Sequence, residues 1–566
     1  MKTEQVTKAT LEEKLFQRNT TKFGFDLNPV VSITTGIFVL LLTIYAFVSM
    51  APWYPFASAL KVFTMIQGGI VNNLDWVFIL STNFFIILAI YLAFSKLGRV
   101  RIGGLKATPE FSTFAWYAML ISAGMGIGLM FWAVGEPLNH LRATPPIYVG
   151  EEGIFSAMAT TFLHWGIHPW AIYAVIGLAL SYFAYNKKMP LSIRSIFYPL
   201  FKERVFGKLG DVIDILAVLA TLFGLATSLG LGVQQINSGL SYLFGVPIST
   251  AMQVFLIAAI TLVATISILS GIDKGVKFLS KMNMRIAFVF MVLIFLIGPT
   301  GYIIRLFSNS LGVYISGLVP ASFHLSMDKG IWEGAWTVFY LAWWISWSPF
   351  VGMFIARVSK GRTIREFIIA VMLVPSLLSF VWLSVFGGTA FFVDEHTGGA
   401  LSRAVVDRGL IDISLFQMIT DLATIFTIPW VQGLIALVLS LIGTILAISF
   451  FITSSDSGSI VVNSITSSGK IKTPRHQRVF WAAVEGLIAA ILLIIGGSHA
   501  LNALQAAVII TGLPFALVLA AISISLLSSL EITYRRQKRV RDTKQIVNVI
   551  EEQTDIDVEP VKDVNI

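Results

Sequence analysis

Five of the fourteen tryptophans fall between Trp332 and Trp347. Phe339, Trp343 and Trp347 recur at every fourth position, so a helix would present them as one stripe with Trp344 on its flank. Aromatic faces attract a poorly hydrated cation such as a quaternary ammonium through their ring quadrupoles. A second aromatic set, Trp165, Trp170 and Tyr173, lies in the run HWGIHPWAIY. The run SAGMGIG places Gly124, Gly126 and Gly128 at alternate positions around Met125. Each glycine weakens a helix by roughly 1 kcal/mol relative to alanine, and backbone amides freed at a half-helix end attract an anion. Together these features describe a pocket for a zwitterion. No acidic residue lies within the run SAGMGIG or between Trp336 and Trp347. A bare cation would enter without a counter-charge, whereas a betaine carries its own carboxylate. An interfacial aromatic belt is the plainer alternative, but belts sit at segment ends and this cluster lies inside an apolar span.

A third chemistry-bearing run is SFFITSSDSGS, residues 449 to 459. Hydroxyls and freed carbonyls are hard oxygen ligands suited to a small hard cation, and transporters hold sodium at unwound segments of this kind. Helix packing through small polar residues is the competing explanation. Asp456 is an intramembrane acid, for which gating is as good a role as ion coordination. Glu136 and Glu485 fall near segment ends or packing faces and receive no chemistry. His164 and His168 are four apart and could share a metal, which would suggest a membrane-bound metalloenzyme. Such a site needs several converging ligands, and the other five histidines (140, 324, 396, 476 and 499) are expected in loops. A channel should show rings of charge or a repeated filter, and neither is present. The chain therefore reads as a transporter and not an enzyme, with no organic cofactor.

The elements that must position these residues are membrane helices. The 566 residues are 56% hydrophobic and 13% charged, the composition of an all-α polytopic membrane protein. Apolar runs, each close to the roughly 20 residues a crossing needs, recur near 31–50, 76–95, 112–135, 154–184, 211–234, 250–271, 285–305, 333–356, 365–389, 432–462, 479–497 and 502–528. That predicts about twelve transmembrane helices. The first thirty residues are polar, so no cleavable signal peptide is expected. Cysteine is absent, which excludes disulfide and thiol chemistry. The net charge of +9 does not indicate nucleic acid, because the basic residues sit in alternate loops. That alternation places both termini in the cytoplasm. The domain reading is a tail over 1–28, a transmembrane domain over 29–530 and a second tail over 531–566. The second tail opens with RRQKRVRDTK, attracted to an anionic leaflet by about 1 kcal/mol per basic residue. Residues 390–431 read as an external loop with short helices, and Phe307–Gly330 as amphipathic enough to lie along the interface.

Two segments are expected to be broken: the third at its glycines, the eighth at Trp347-Ser348-Pro349, where proline removes an amide donor. Interruptions in corresponding places of two halves mark the substrate site of a transporter with inverted repeats. The halves would be residues 110–305 and 333–528.

The runs GMGIG, Gly135-Glu136-Pro137, HWGIHPWAIY and WTVFYLAWWISWSPFVGMFIARVSKGR closely resemble the betaine/carnitine/choline transporter family, over roughly residues 25 to 535. The resemblance implies a LeuT-type fold with two additional N-terminal helices, alternating access, and a homotrimer in the bacterial inner membrane. It assigns an aromatic box to Trp165, Trp170, Tyr173, Phe339, Trp343, Trp344 and Trp347, with Ser228 and the run Gly124, Met125, Gly126 and Gly128 completing the substrate set. Gly128 matches the position where choline-type members carry aspartate, which points to the betaine-type branch. Sodium would be held by Ser122, Met125, Phe450, Thr453 and Ser454. A second sodium position is matched by Thr221 and Phe350, but Leu225 stands where a threonine is expected, and an alkyl chain cannot coordinate a cation. The function implied is sodium-coupled import of glycine betaine or a similar methylated compatible solute. A proton-coupled or exchange carrier for choline or carnitine is the alternative.

Overall fold

The computed structural model describes residues 13–124, 126–148, 153–270, 273–327, 331–470 and 472–554. Met125, expected in both the substrate and the sodium sets, lies outside them. Apart from a small antiparallel hairpin, β1 (Thr20–Lys22) and β2 (Phe25–Leu27), the architecture is helical. In lipid, a helix satisfies its own backbone groups within one segment, and the long apolar runs accordingly form α1 (Pro29–Val48), α2 (Ala59–Phe94), α3 (Thr113–Gly124), α4 (Ile127–Arg142), α5 (Ile154–Trp165) and α6 (Ile167–Ser181). After these come α7 (Lys208–Phe244), α8 (Thr250–Ser270), α9 (Asp273–Ile297), α10 (Thr300–Ser316), α11 (Ile331–Ala335) and α12 (Thr337–Val358). The chain closes with α13 (Ile364–His396), α14 (Ser414–Ala423), α15 (Pro429–Thr466), α16 (Arg475–Gly496) and α17 (Ala500–Thr554).

Every expected segment is helical over most of its length, although 285–305 is divided between α9 and α10 at Gly298-Pro299. Among the described residues nine helical runs are long and apolar enough to cross a membrane, or ten when α3 and α4 are taken as one bent span. One of those runs, Arg475–Arg536, contains α16 and the larger part of α17, which pack on each other beyond a turn at Gly497 (φ +51°). The loop over 390–431 contains short helices as expected, with α14 packed on α4 and α15. No break separates the second tail from the membrane: α17 runs on through residue 531 to Thr554.

The helix breaks are only partly where the sequence suggested. The third segment does divide, into α3 and α4, with a bend of 62° at Gly126. The eighth does not divide at Pro349, which sits inside a continuous α12. Proline leaves the carbonyl of Ile345, four residues back, without its amide, and the Ser348 hydroxyl donates to that carbonyl at 2.7 Å. The discontinuity lies one residue before α12 begins, at Trp336 (φ −122°, ψ −82°) between α11 and α12. The tenth segment, expected to unwind, is an unbroken α15. The fourth, read as continuous, is cut at Gly166 (φ −92°, ψ −132°) into α5 and α6. A methyl group at Gly166 would stand 2.6 Å from the Phe162 carbonyl and 2.7 Å from the Phe380 ring, so the turn admits no side chain.

α3 and α12 are tied together at one end. Ile102 bonds through its backbone to the loop after α12, donating to the Arg362 carbonyl (2.9 Å) and accepting from the Gly361 amide (2.9 Å). The Trp116 indole of α3 donates to the Ser359 hydroxyl at the end of α12 (3.0 Å), and the Arg362 guanidinium lies 4.6 Å over the Trp116 ring. Gly361 is obligatory here: its φ is +85° and a Cβ would lie 2.2 Å from the Thr108 carbonyl.

Candidate functional site

The break between α3 and α4 sets the Gly126 backbone extended and opens a helix N-terminus at Ile127. The first intrahelical bond of α4 is donated by Met130 to the Gly126 carbonyl (3.3 Å). The amides of Ile127, Gly128 and Leu129 precede it and have no helical acceptor. Indole rings close on the glycines of this run. A Cβ on Gly124 would stand 2.5 Å from the Trp170 ring, and one on Gly128 would stand 2.6 Å from Trp343 and 3.3 Å from Trp165. Glycine is required at both places by close approach.

The rings come from three helices. Trp165 ends α5, Trp170 and Tyr173 stand in the first two turns of α6, and Trp343 and Trp344 lie mid-way along α12. Trp165 meets Trp344 edge-on (centroids 4.9 Å apart, planes at 70°) and Trp343 likewise (6.4 Å, 81°). Tyr173 is edge-on to Trp344 (6.5 Å) and to Trp170 (5.3 Å). Trp343 and Trp344, though adjacent in sequence, are stacked at 4.9 Å. The cut at Gly166 makes this arrangement possible, since a continuous helix would hold Trp165 and Trp170 in fixed register. The His164 carbonyl, in the last turn before the cut, is taken by the Trp344 indole at 2.9 Å.

Ser228, Trp343 and Trp347 converge on one atom, the Gly224 carbonyl of α7 (3.3, 3.3 and 2.9 Å). Gly224 allows this approach: a Cβ there would lie 2.8 Å from the Trp347 ring. Phe339 is fully buried and stacks on Trp343 (5.5 Å, 18°) while tilting against Trp132, so it backs the box rather than closing it.

Sequence reasoning missed the group that orients the box. Glu136 is completely buried in α4. Its carboxylate accepts from the Trp165 indole (2.7 Å) and the Tyr340 hydroxyl (2.5 Å), and it is bonded to His164 Nδ1 (2.7 Å), with His140 Nε2 at 3.4 Å. His140, expected in a loop, belongs to α4 and is 1% exposed. Glu136, His140 and His164 bring one ligand atom each to within 4.8 Å of one another. The pairing of His164 with His168 is not formed: His168 turns to the Ser322 hydroxyl (2.9 Å), and His164 Nε2 to Thr337 (3.0 Å). A Gly-Glu-Pro triplet beside a glycine break was the available signal, and helical periodicity carried Glu136 to the inner face.

The residues expected around the two sodium positions are spread over four helices. Ser122 ends α3; Phe450, Thr453 and Ser454 lie on α15. The Thr453 hydroxyl donates to the Ser449 carbonyl of its own helix (3.0 Å) and accepts from Asn283 (3.2 Å). Thr221 of α7 is buried, with its hydroxyl on the Ala217 carbonyl (2.7 Å), and Phe350 meets Trp347 edge-on (5.2 Å). Leu225 is fully buried against Gly458 of α15.

The profile of the betaine/carnitine/choline family transporters matches residues 30–535. The chain belongs to that family. This transporter is 46% identical over 527 residues to a glycine betaine/proline/choline/ectoine transporter of Vibrio parahaemolyticus, covering 92% of this chain and 90% of the relative. It is also 46% identical to glycine betaine transporter 1 of the same organism, over 91% of this chain and 96% of the other. The glycine betaine transporter of Acinetobacter baylyi is 39% identical, covering 93% and 77% respectively. Among solved structures, a manganese transporter mutant of Eremococcus coleocola aligns at 16% identity with a TM-score of 0.39, over 76% of this chain and 90% of its own. The membership makes the chain a membrane transporter and not an enzyme.

Proposed function

We propose that this transporter imports glycine betaine, or a closely related methylated zwitterion, coupled to sodium. One observation carries the reading: rings from α5, α6 and α12 converge on the glycine break of α3 and α4. A quaternary ammonium would sit among Trp165, Trp170, Tyr173, Trp343 and Trp344, with Trp347 and Ser228 at the α7 side and Phe339 behind. Its carboxylate would meet the amides at the start of α4. Glu136 has no free oxygen with which to pair a bare cation, because two donors and a histidine already occupy its carboxylate. The names of the Vibrio and Acinetobacter relatives support the same solute class.

Sodium would be held between α3 and α15, by Ser122, Met125, Phe450, Thr453 and Ser454. Thr221 and Phe350 are what remains of a second position on α7 and α12. The protein would lie in the bacterial inner membrane as a homotrimer, with both termini in the cytoplasm where the basic loops are retained. Uptake of radiolabelled glycine betaine into reconstituted vesicles tests the reading, with choline, carnitine, proline and ectoine as competitors. Concentrative uptake should require an inward sodium gradient. Uptake that persists without sodium, or that choline outcompetes, would overturn it.

A further inference from the structure

α12 runs from the aromatic box to the side of the basic loops, which is cytoplasmic in the reading above. From Val338 to its end at Val358 every residue is buried except Trp347, Phe350, Phe354, Arg357 and Val358. Steps of three and four put these on one face, so an otherwise enclosed helix carries one half-open stripe. Three rings follow one another along it, with Phe350 edge-on to Trp347 (5.2 Å). A guanidinium ends the stripe, about 15 Å beyond Trp347 at 1.5 Å per residue. α15 packs on α12 and is itself half-buried at Thr453, Ser454, Ser457 and Ile460.

Both helices lead to one pocket. Phe16, Tyr185, Arg357, Gly469, Lys470 and Lys472 line an opening of about 430 Å³, within the range of roughly 300–1,000 Å³ usual for small-molecule sites. Its walls are cationic. Arg357 Nε is buried with no hydrogen-bond partner, and Nη2 rests 3.8 Å from the Met353 thioether. Among the described residues the acids of the adjoining segments are already paired: Glu110 with Lys360 (2.9 Å), Asp26 with Lys470 (2.6 Å), Glu203 with Lys14 (3.2 Å) and Glu531 with Arg535 (3.6 Å). Glu366 caps α13, and Glu13, three residues before Phe16, is exposed. The titratable group that acts on the guanidinium is Tyr185. The carbonyls ending α12 supply only about half a negative charge.

We propose that the stripe and its pocket form an exit subsite for the transported zwitterion, with Arg357 as the carboxylate-binding residue. A guanidinium pairs with a carboxylate through two parallel hydrogen bonds. The rings of Trp347, Phe350 and Phe354 attract the methylated ammonium that trails behind. Both halves of the solute are thus held in turn between the box and the basic loops. A bare cation gains nothing at Arg357 and is repelled there. This rests on the methylated-zwitterion reading above, and its test separates the two.

In proteoliposomes holding the full chain in known orientation, efflux of radiolabelled glycine betaine gives the KM at the internal face and influx the KM at the external face. No glycine betaine flux in the natural protein would overturn the solute reading, and this proposal with it, before any variant is made. With flux present, Arg357→Gln should raise the internal KM about tenfold, within what a charge-assisted bond contributes, while the external KM does not rise. Arg357→Lys should recover part of the loss. Internal sulfate, an impermeant oxyanion, should raise the internal KM of the natural protein and not that of Arg357→Gln. An unchanged internal KM in Arg357→Gln would overturn the proposal, as would a rise at both faces, which marks a structural role only. If that variant does not fold, indifference of the natural protein to internal sulfate overturns it instead. An internal KM that alone shifts when phosphatidylglycerol replaces phosphatidylcholine would give the pocket to a lipid phosphate, and would overturn it too.

Discussion

At the scale of single residues, the box is held by hydrogen bonds as much as by ring contacts. Trp165 is aimed by Glu136, Trp344 by the His164 carbonyl, and Trp343 and Trp347 by Gly224. Glu136→Gln keeps the size of the side chain but weakens charge-assisted bonds to an indole, a phenol and an imidazole, each worth about 1.5–3 kcal/mol. Its KM for glycine betaine should rise roughly tenfold, about 1.4 kcal/mol, with normal membrane insertion; an unchanged KM would remove Glu136 from the positioning role. Trp347→Ala takes away both a ring and the donor to Gly224. High-affinity uptake should be lost while the protein still reaches the membrane, and unaltered affinity would take Trp347 out of the site. The aromatic residues were legible in the sequence because tryptophan clustered inside an apolar span is unusual. Their mutual geometry was not, because it depends on acceptors such as Gly224 and His164 that are backbone atoms of other helices.

Among the elements, breaks rather than helices carry the information. The glycine break in the third segment was readable from three glycines in five residues. The proline in the eighth misled, because the neighbouring Ser348 satisfies the carbonyl that Pro349 orphans. Ser348→Ala should then cost about 1 kcal/mol of stability, seen as an earlier thermal transition in detergent, and a transition at the natural temperature would show that α12 tolerates the orphan. The cut at Gly166 escaped notice since a lone glycine in an apolar run is ordinary; only the Gly-Ile-His-Pro sequence hinted at it. Gly128→Ala should lower uptake at least tenfold by pushing Trp343 and Trp165 apart, given the 2.6 Å and 3.3 Å separations and the cost of overpacking a tight contact, typically 1–3 kcal/mol. Uptake at the natural rate would mean the rings yield freely.

Across the whole molecule, composition settled the class, and positive-inside asymmetry gave an orientation for experiment to check. What composition could not show is how much the N-terminal segment is built into the structure. Arg18 donates to the Phe206 carbonyl and pairs with Asp211 (2.6 Å), whose other oxygen is bonded to the buried Arg194 (3.0 Å). Asn28 N reaches the Thr466 carbonyl at 2.7 Å, and Asp26 pairs with Lys470. Removing residues 1–27 should therefore lower the melting temperature by a few °C, measurable by thermal shift, whereas a free tail would leave it unmoved. At the opposite terminus, α17 is one helix of 55 residues, about 80 Å long at 1.5 Å per residue. Tyr182 and Lys187 grip it at Thr533, just where it passes from apolar to basic sequence. Continuity makes the helix a lever: a tug on the arginines just past that grip would travel along the same helix into the packed interior, where a slack tether would have absorbed it.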